Sequence, residues 1–219
     1  MYSKSKKQIE KLELIQEFSE TELITLQKLA FSKNREIRRR AAVLLGQQYD
    51  SRSEMILYHL SFDRDELVRL EATDSLSIGK TLSSLQRLEM LCYSSDCYIR
   101  FFAIQSHYDV YMNLYENEDK KSEYLNSVIR LLQTERNLLV KLALYKVCFL
   151  CGDENALKQI ADILINAIKT SDYSLISPAL NLLDEVIDEH SKEFIEPIFP
   201  FINKLDGHQA ALLLSMIEI

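Results

Sequence analysis

The tetrapeptide Cys148-Phe149-Leu150-Cys151 has the spacing of a dithiol redox centre or of half a zinc site, with Cys92 and Cys97 as the conceivable other half. A redox thiolate needs the positive end of a helix dipole, and this pair sits at the end of an apolar helical run, just before Gly152, where the field has the opposite sign. Zinc would require ligands from a distant segment at a spacing unlike a zinc ribbon. The cysteines therefore read as buried free thiols. His59, His107, His190 and His208 are scattered with no second histidine at metal-ligand spacing, and no nucleophile motif or glycine-rich loop accompanies them. The chemistry-bearing residues thus assemble no catalytic set, no metal site and no cofactor site.

Two further constellations bear on binding. Arg35, Arg38, Arg39 and Arg40 form the one dense basic cluster, but it occupies a single helical turn and lacks the interleaved aromatics of a nucleic-acid surface. Tyr108, Tyr111 and Tyr115 fall on one helix face at i, i+3 and i+7, with Phe101 and Gln105 nearby. Tyrosine in such a stripe serves either a core or a protein interface.

The elements that carry these residues repeat. Ile37-Arg38, Val68-Arg69 and Ile99-Arg100 are each 31 residues apart. Ala41, Ala72 and Ala103 keep step, as do Asn34, Asp65 and Asp96 three positions before the aliphatic residue. A fixed period of this size marks stacked helical hairpins. Asn or Asp ends a short polar turn and caps the second helix, and the small alanine lets helix backbones approach. A fourth copy, Asn137, Val140 and Lys141, follows after 41 residues, the extra ten matching the polar insert 116–121. A fifth drifts to Asp172, Ile176 and Ser177, followed by Pro178. A sixth keeps Asp206 and an apolar tail, as expected of a capping unit.

Apolar periodicity predicts an N-terminal helix over 4–18, followed by six pairs. These are 20–31 with 35–48, 53–62 with 66–78, 82–93 with 97–115, 122–134 with 138–150, 154–170 with 173–189, and 191–203 with 207–217. Only 4 Gly and 3 Pro occur in 219 residues, a composition that long helices favour and sheets do not. Shared cores between neighbouring pairs predict one domain over 1–219, with clear repeats over 20–150 and degenerate ones over 151–219.

The formal net charge is −7, unevenly spread: residues 1–40 hold 10 Lys/Arg against 6 Asp/Glu, and residues 151–219 hold 4 against 12. An acidic body, pI near 5.2, disfavours phosphate backbones and favours basic partners. No apolar run reaches the ~18 residues a membrane span needs, and the basic start lacks a signal-peptide core, which predicts a cytoplasmic protein.

With those residues in view, the chain resembles the HEAT-repeat superfamily, in particular its short-period branch found in phycobilisome lyases. Asp65-Glu66-Leu67-Val68-Arg69-Leu70-Glu71-Ala72 and Ile37-Arg38-Arg39-Arg40-Ala41-Ala42-Val43-Leu44-Leu45-Gly46 carry the resemblance. It implies an all-α, right-handed superhelix with first helices outside and second helices lining a concave face. In the family the basic residue after the aliphatic one bonds to the Asp turn of an adjacent repeat, which implies a structural role for Arg38, Arg69, Arg100 and Lys141. The fold does not imply one activity.

The reading is a non-catalytic protein-binding scaffold. Its expected partner face comprises Arg39, Leu70, Phe101 and Leu142, one residue past each basic position, then Val43, Asp74, Gln105 and Lys146 a turn further, with Tyr108. A basic or amphipathic protein segment suits this face, and the oligomeric state is open. The lysine-, glutamate-, isoleucine- and asparagine-rich composition looks bacterial, and an immunity protein that covers a toxin is the alternative. A HEAT-like DNA-binding protein or DNA glycosylase is a further one, disfavoured by the acidic body and the absence of Trp.

Overall fold

Most of the α-helices begin where a short polar side chain replaces the missing backbone acceptor. The computed structural model of the protein describes residues 2–47, 50–115, 118–188 and 191–216. The expected element ends at Gln48, Glu189 and Ile217, the insert residues Glu116 and Asn117, and His190 lie outside the described residues. Among the described residues there is no strand, and the chain divides into two compact units, Met1–Glu116 and Asn117–Ile219.

The first unit holds α1 (Tyr2–Leu12), then three hairpins: α2 (Glu20–Ala30) with α3 (Arg35–Leu45), α4 (Ser51–Leu60) with α5 (Glu66–Asp74), and α6 (Leu82–Cys92) with α7 (Cys97–Tyr115). The second helices stack in sequence, α3 on α5 and α5 on α7. Ala41, Ala72 and Ala103 are fully buried at these contacts, as the absence of a larger side chain there requires. Gly46 marks another close approach: a Cβ there would lie 2.7 Å from the Ser75 side chain.

The second unit continues the alternation with α8 (Glu118–Thr134), α9 (Leu138–Leu150), α10 (Asn155–Thr170) and α11 (Tyr173–Val186). Here α9 packs against α8, α10 and α11. Two 3-10 segments, Lys192–Phe194 and Glu196–Lys204, precede α12 (Gly207–Ser215). The Gln209 amide donates to Ser177 Oγ at 3.1 Å, tying α12 to α11.

All six expected caps are in place. Asn34 accepts from the Glu36 N–H, Asp65 from Val68, Asn137 from Val140 and Asp172 from Ser174. Asp96 accepts from Tyr98 and Ile99, and Asp206 from His208 and Gln209. Each such bond contributes about 1 kcal/mol and sets the helix register.

Several boundaries differ from expectation. The stretch expected as one α-helix over 191–203 is instead two 3-10 segments joined at Ile195, because Pro197 and Pro200 remove donors and clash with the preceding turn. Residues 118–121 of the polar insert join α8 as its first turn. Helix α1 ends at Leu12, short of Phe18, and α5 gives way after Asp74 to a 3-10 turn, Ser75–Ile78, where Ser75 meets Gly46. Pro178 falls in the second turn of α11, so the Ser174 carbonyl loses its i+4 donor.

Candidate protein-interaction surface

The three arginines of the repeat are structural. Each arginine reaches back to carbonyls of the turn that joins the two helices of its own hairpin: Arg38 to Ser32 and Lys33, Arg69 to Asp63 and Arg64, Arg100 to Ser94 and Ser95, the shorter bonds being 2.8–3.1 Å. Two of them also reach forward into the next repeat. Arg38 forms a two-pronged ion pair with Asp63 at 2.7 and 2.8 Å, and Arg69 meets Asp96 at 3.0 Å. Burial pushes the Asp63 carboxyl up, but the Arg38 bonds, the Asp65 N–H at 2.8 Å and the nearby charges outweigh it and hold it below its usual range. Arg38 is matched to Asp63 rather than to the capping Asp65, which Arg35 takes at 3.2 Å.

Cys92 and Cys148 are buried, while Cys97 and Cys151, expected to be buried as well, are half-buried. Cys148 lies in the last turn of α9 and Cys151 caps it. The Asp153 N–H bonds to the Cys148 carbonyl at 3.0 Å and the Gly152 N–H to Phe149 at 2.8 Å, a Schellman closure with Gly152 at φ +99°. Burial pushes the Cys148 and Cys92 thiols up to about 12, far from the thiolate that redox or metal chemistry needs. Among the described residues no group of three or more His, Cys, Asp or Glu is placed to hold a metal ion. Burial likewise lowers His107 to about 4, so it is neutral near pH 7. An open groove of about 300 Å³ between α1 and α2 contains Glu22, whose carboxylate is committed to capping α2 through Ser19.

The residues expected on the second-helix face divide. Val43 and Asp74 are exposed and Leu70, Gln105 and Tyr108 half-buried. Arg39 is engaged within the stack, bonding Glu71 of the next repeat at 2.6 Å and Glu36 at 3.2 Å, and Lys146 pairs with Glu185. Leu142 and Phe101 are buried, which corrects the expectation that they point to a partner. A second helix packs both on its hairpin partner and on neighbouring second helices, so its buried arc is wider than one row of residues. Tyr111 and Tyr115, half-buried, pack against each other at a tilt of 52° with ring centres 4.7 Å apart.

A different surface, not singled out from the sequence, is the solvent face of the three first helices in the same unit. Positions i, i+4 and i+7 carry Ile24, Lys28 and Phe31 at α2, Met55, His59 and Phe62 at α4, and Gln86, Met90 and Tyr93 at α6; all nine are exposed. Phe31, Phe62 and Tyr93 expose 59, 62 and 67% of their surface at equivalent positions 31 residues apart. The rows are knitted together. The Phe31 ring lies 5.7 Å from His59, Tyr58 is edge-on to Phe62 at 5.4 Å, the Tyr58 hydroxyl donates to Met90 Sδ at 3.7 Å, and the Arg87 guanidinium covers Tyr58 at 5.8 Å. Beneath them, the buried Glu54 carboxylate of α4 accepts from Ser84 at 2.8 Å and pairs with Arg87, fixing α4 against α6. The 31-residue period that located the capping residues also marks this ladder.

No family model matches the sequence, and no curated protein matches it. Among solved structures, a chain in a homology model of the full-length AP-3 complex in an intermediate open conformation matches all of this chain at 16% identity with a TM-score of 0.55. The chain spans 44% of that protein's length. An engineered protein matches 91% of the chain over 99% of its own, at 16% identity and a TM-score of 0.41. The fold is thus of the helical-repeat solenoid class. Among the described residues no helix is long and apolar enough to cross a membrane.

Proposed function

We propose that this chain is a non-catalytic protein-binding scaffold of a bacterial cytoplasm, one array of short-period HEAT-like repeats running through 1–219. The observation that carries the reading is the exposed ladder Phe31, Phe62 and Tyr93, with Ile24, Met55 and Met90 beside it. Large apolar side chains recurring on a solvent face lose free energy in water unless something covers them, at about 25 cal/mol per Å². The ladder offers an open, periodic surface, suited to an extended protein contact rather than to a small substrate. The AP-3 chain of the same fold belongs to a multiprotein complex, in keeping with this reading.

Neutralisation of a basic toxin is a second reading, favoured by the excess of 12 acidic over 4 basic residues in 151–219, which would steer a cationic partner. A photo-crosslinking residue at Phe62, and separately at Val43, tests both surfaces in the native host. Protein adducts from Phe62 support the ladder as the docking face. Adducts from Val43 alone move the site to the second helices, together with Leu70 and Asp74. Protein adducts from neither position refute the scaffold reading.

A further inference from the structure

We propose that the first-helix ladder receives an acidic amphipathic helix from a protein partner. This rests on the scaffold reading and specifies the partner for that same surface.

Geometry supplies the first argument. The α2 and α4 rows touch through Phe31 and His59 and the α4 and α6 rows through Tyr58 and Met90, and helices in side-chain contact lie about 8–10 Å apart. A partner helix rises 1.5 Å per residue and returns to the same face every seven residues, about 10.5 Å. Laid across the rows, it places one apolar residue on each of Phe31, Phe62 and Tyr93, with residues three or four positions on meeting Ile24 and Met55 in the next column. About 18 residues of helix cover three rows.

Charge supplies the second. Lys28, Lys33 and Arg64 are exposed around the first two rows, and none is in an ion pair among the described residues. The acids of the adjoining turns are occupied: Asp63 by Arg38, Asp65 by Arg35 and Asp96 by Arg69. Glu89, on the third row, is the exposed acid there. The rows therefore present apolar rings edged by available cations, within a protein of net charge −7. Glu and Asp flanking an apolar stripe complement that pattern, whereas a basic segment is drawn to 151–219. Single-stranded nucleic acid fits less well, because its phosphate charge runs along the whole strand while the exposed cations edge only the first two rows.

The test is a display library of helical peptides of about 18 residues, selected on the full chain and counter-selected on the Phe31→Ser/Phe62→Ser/Tyr93→Ser variant. The substituted residues are exposed, and circular dichroism checks that the variant keeps its helices. The expected result is enrichment of peptides with Leu, Phe or Met at i, i+3 or i+4, and i+7 and with net negative charge. These bind the variant at least about ten-fold more weakly. Lys28→Glu/Lys33→Glu/Arg64→Glu lowers their affinity by a similar factor, less so at high salt. Enrichment of basic peptides, peptides that bind both proteins equally, or no enrichment at all overturns the proposal. So does oligo(dT) binding that the same serine substitutions abolish. A host protein crosslinked only through the second helices ends this proposal and leaves the scaffold reading intact, while the absence of protein adducts ends both.

Discussion

Asp63→Ala is the most informative single change for the fold, because its cost follows from burial and can be ranked against two related pairs. The Arg38 and Asp63 side chains are 7 and 11% exposed, Arg69 and Asp96 25 and 26%, Arg35 and Asp65 75 and 16%. Removing one member of a buried pair costs about 3–5 kcal/mol, since the survivor keeps its desolvation penalty without its partner. Residual solvent contact lowers this to about 3 kcal/mol for Asp63→Ala, which strands the Arg38 guanidinium and removes the acceptor for the Asp65 N–H. Asp96→Ala loses a half-exposed pair and a helix cap, about 1.5–2 kcal/mol together. Arg35→Ala costs at most about 0.5 kcal/mol, its guanidinium being largely in water. Urea unfolding followed by circular dichroism measures all three. The sign with pH is fixed: the Asp63 carboxyl is held below its ordinary value of 3.8, so its contribution is complete above that value and fades as pH falls through the lower folded one. The gap between wild type and Asp63→Ala therefore stays constant near neutrality and closes in acid. Equal costs for Asp63→Ala and Arg35→Ala, or a gap that widens in acid, would refute the reasoning.

Three other substitutions or treatments follow from local geometry. Gly46→Ala places a Cβ 2.7 Å from Ser75 and should destabilise by about 1–3 kcal/mol through overpacking between repeats, read as a shift in the urea midpoint. Ser171→Gly should stabilise by about 1 kcal/mol, because Ser171 ends α10 in the left-handed region at φ 58°; an unchanged midpoint would count against that strain. At about pH 8, Cys97 and Cys151 should react with Ellman's reagent first, while Cys92 and Cys148, buried and pushed up to about 12, wait for unfolding. Four equivalent thiols in the native state would contradict their burial.

What the sequence determined by itself was local. Caps at Asn34, Asp65, Asp96, Asn137, Asp172 and Asp206 act on N–H groups two or three residues away, so residue type and spacing suffice to place them. The same holds for the helix hairpins and for the alanines that must be small where backbones meet. Pro197 and Pro200 carried an equally local warning against an α-helix over 191–203 that apolar periodicity obscured. Tertiary structure decided which side chains face water. Phe101 and Leu142 follow the register of an inward row, yet both are buried by the helices packed around α7 and α9. Phe31, Phe62 and Tyr93 lie at equally regular positions and stay exposed, although an aromatic residue read from sequence points to a core. Arg38 selects Asp63 over Asp65 for a similar reason: two residues apart in the chain, only one carboxylate is turned toward the guanidinium. Burial is a property of everything packed around a residue, and a local pattern records only which residues share a face.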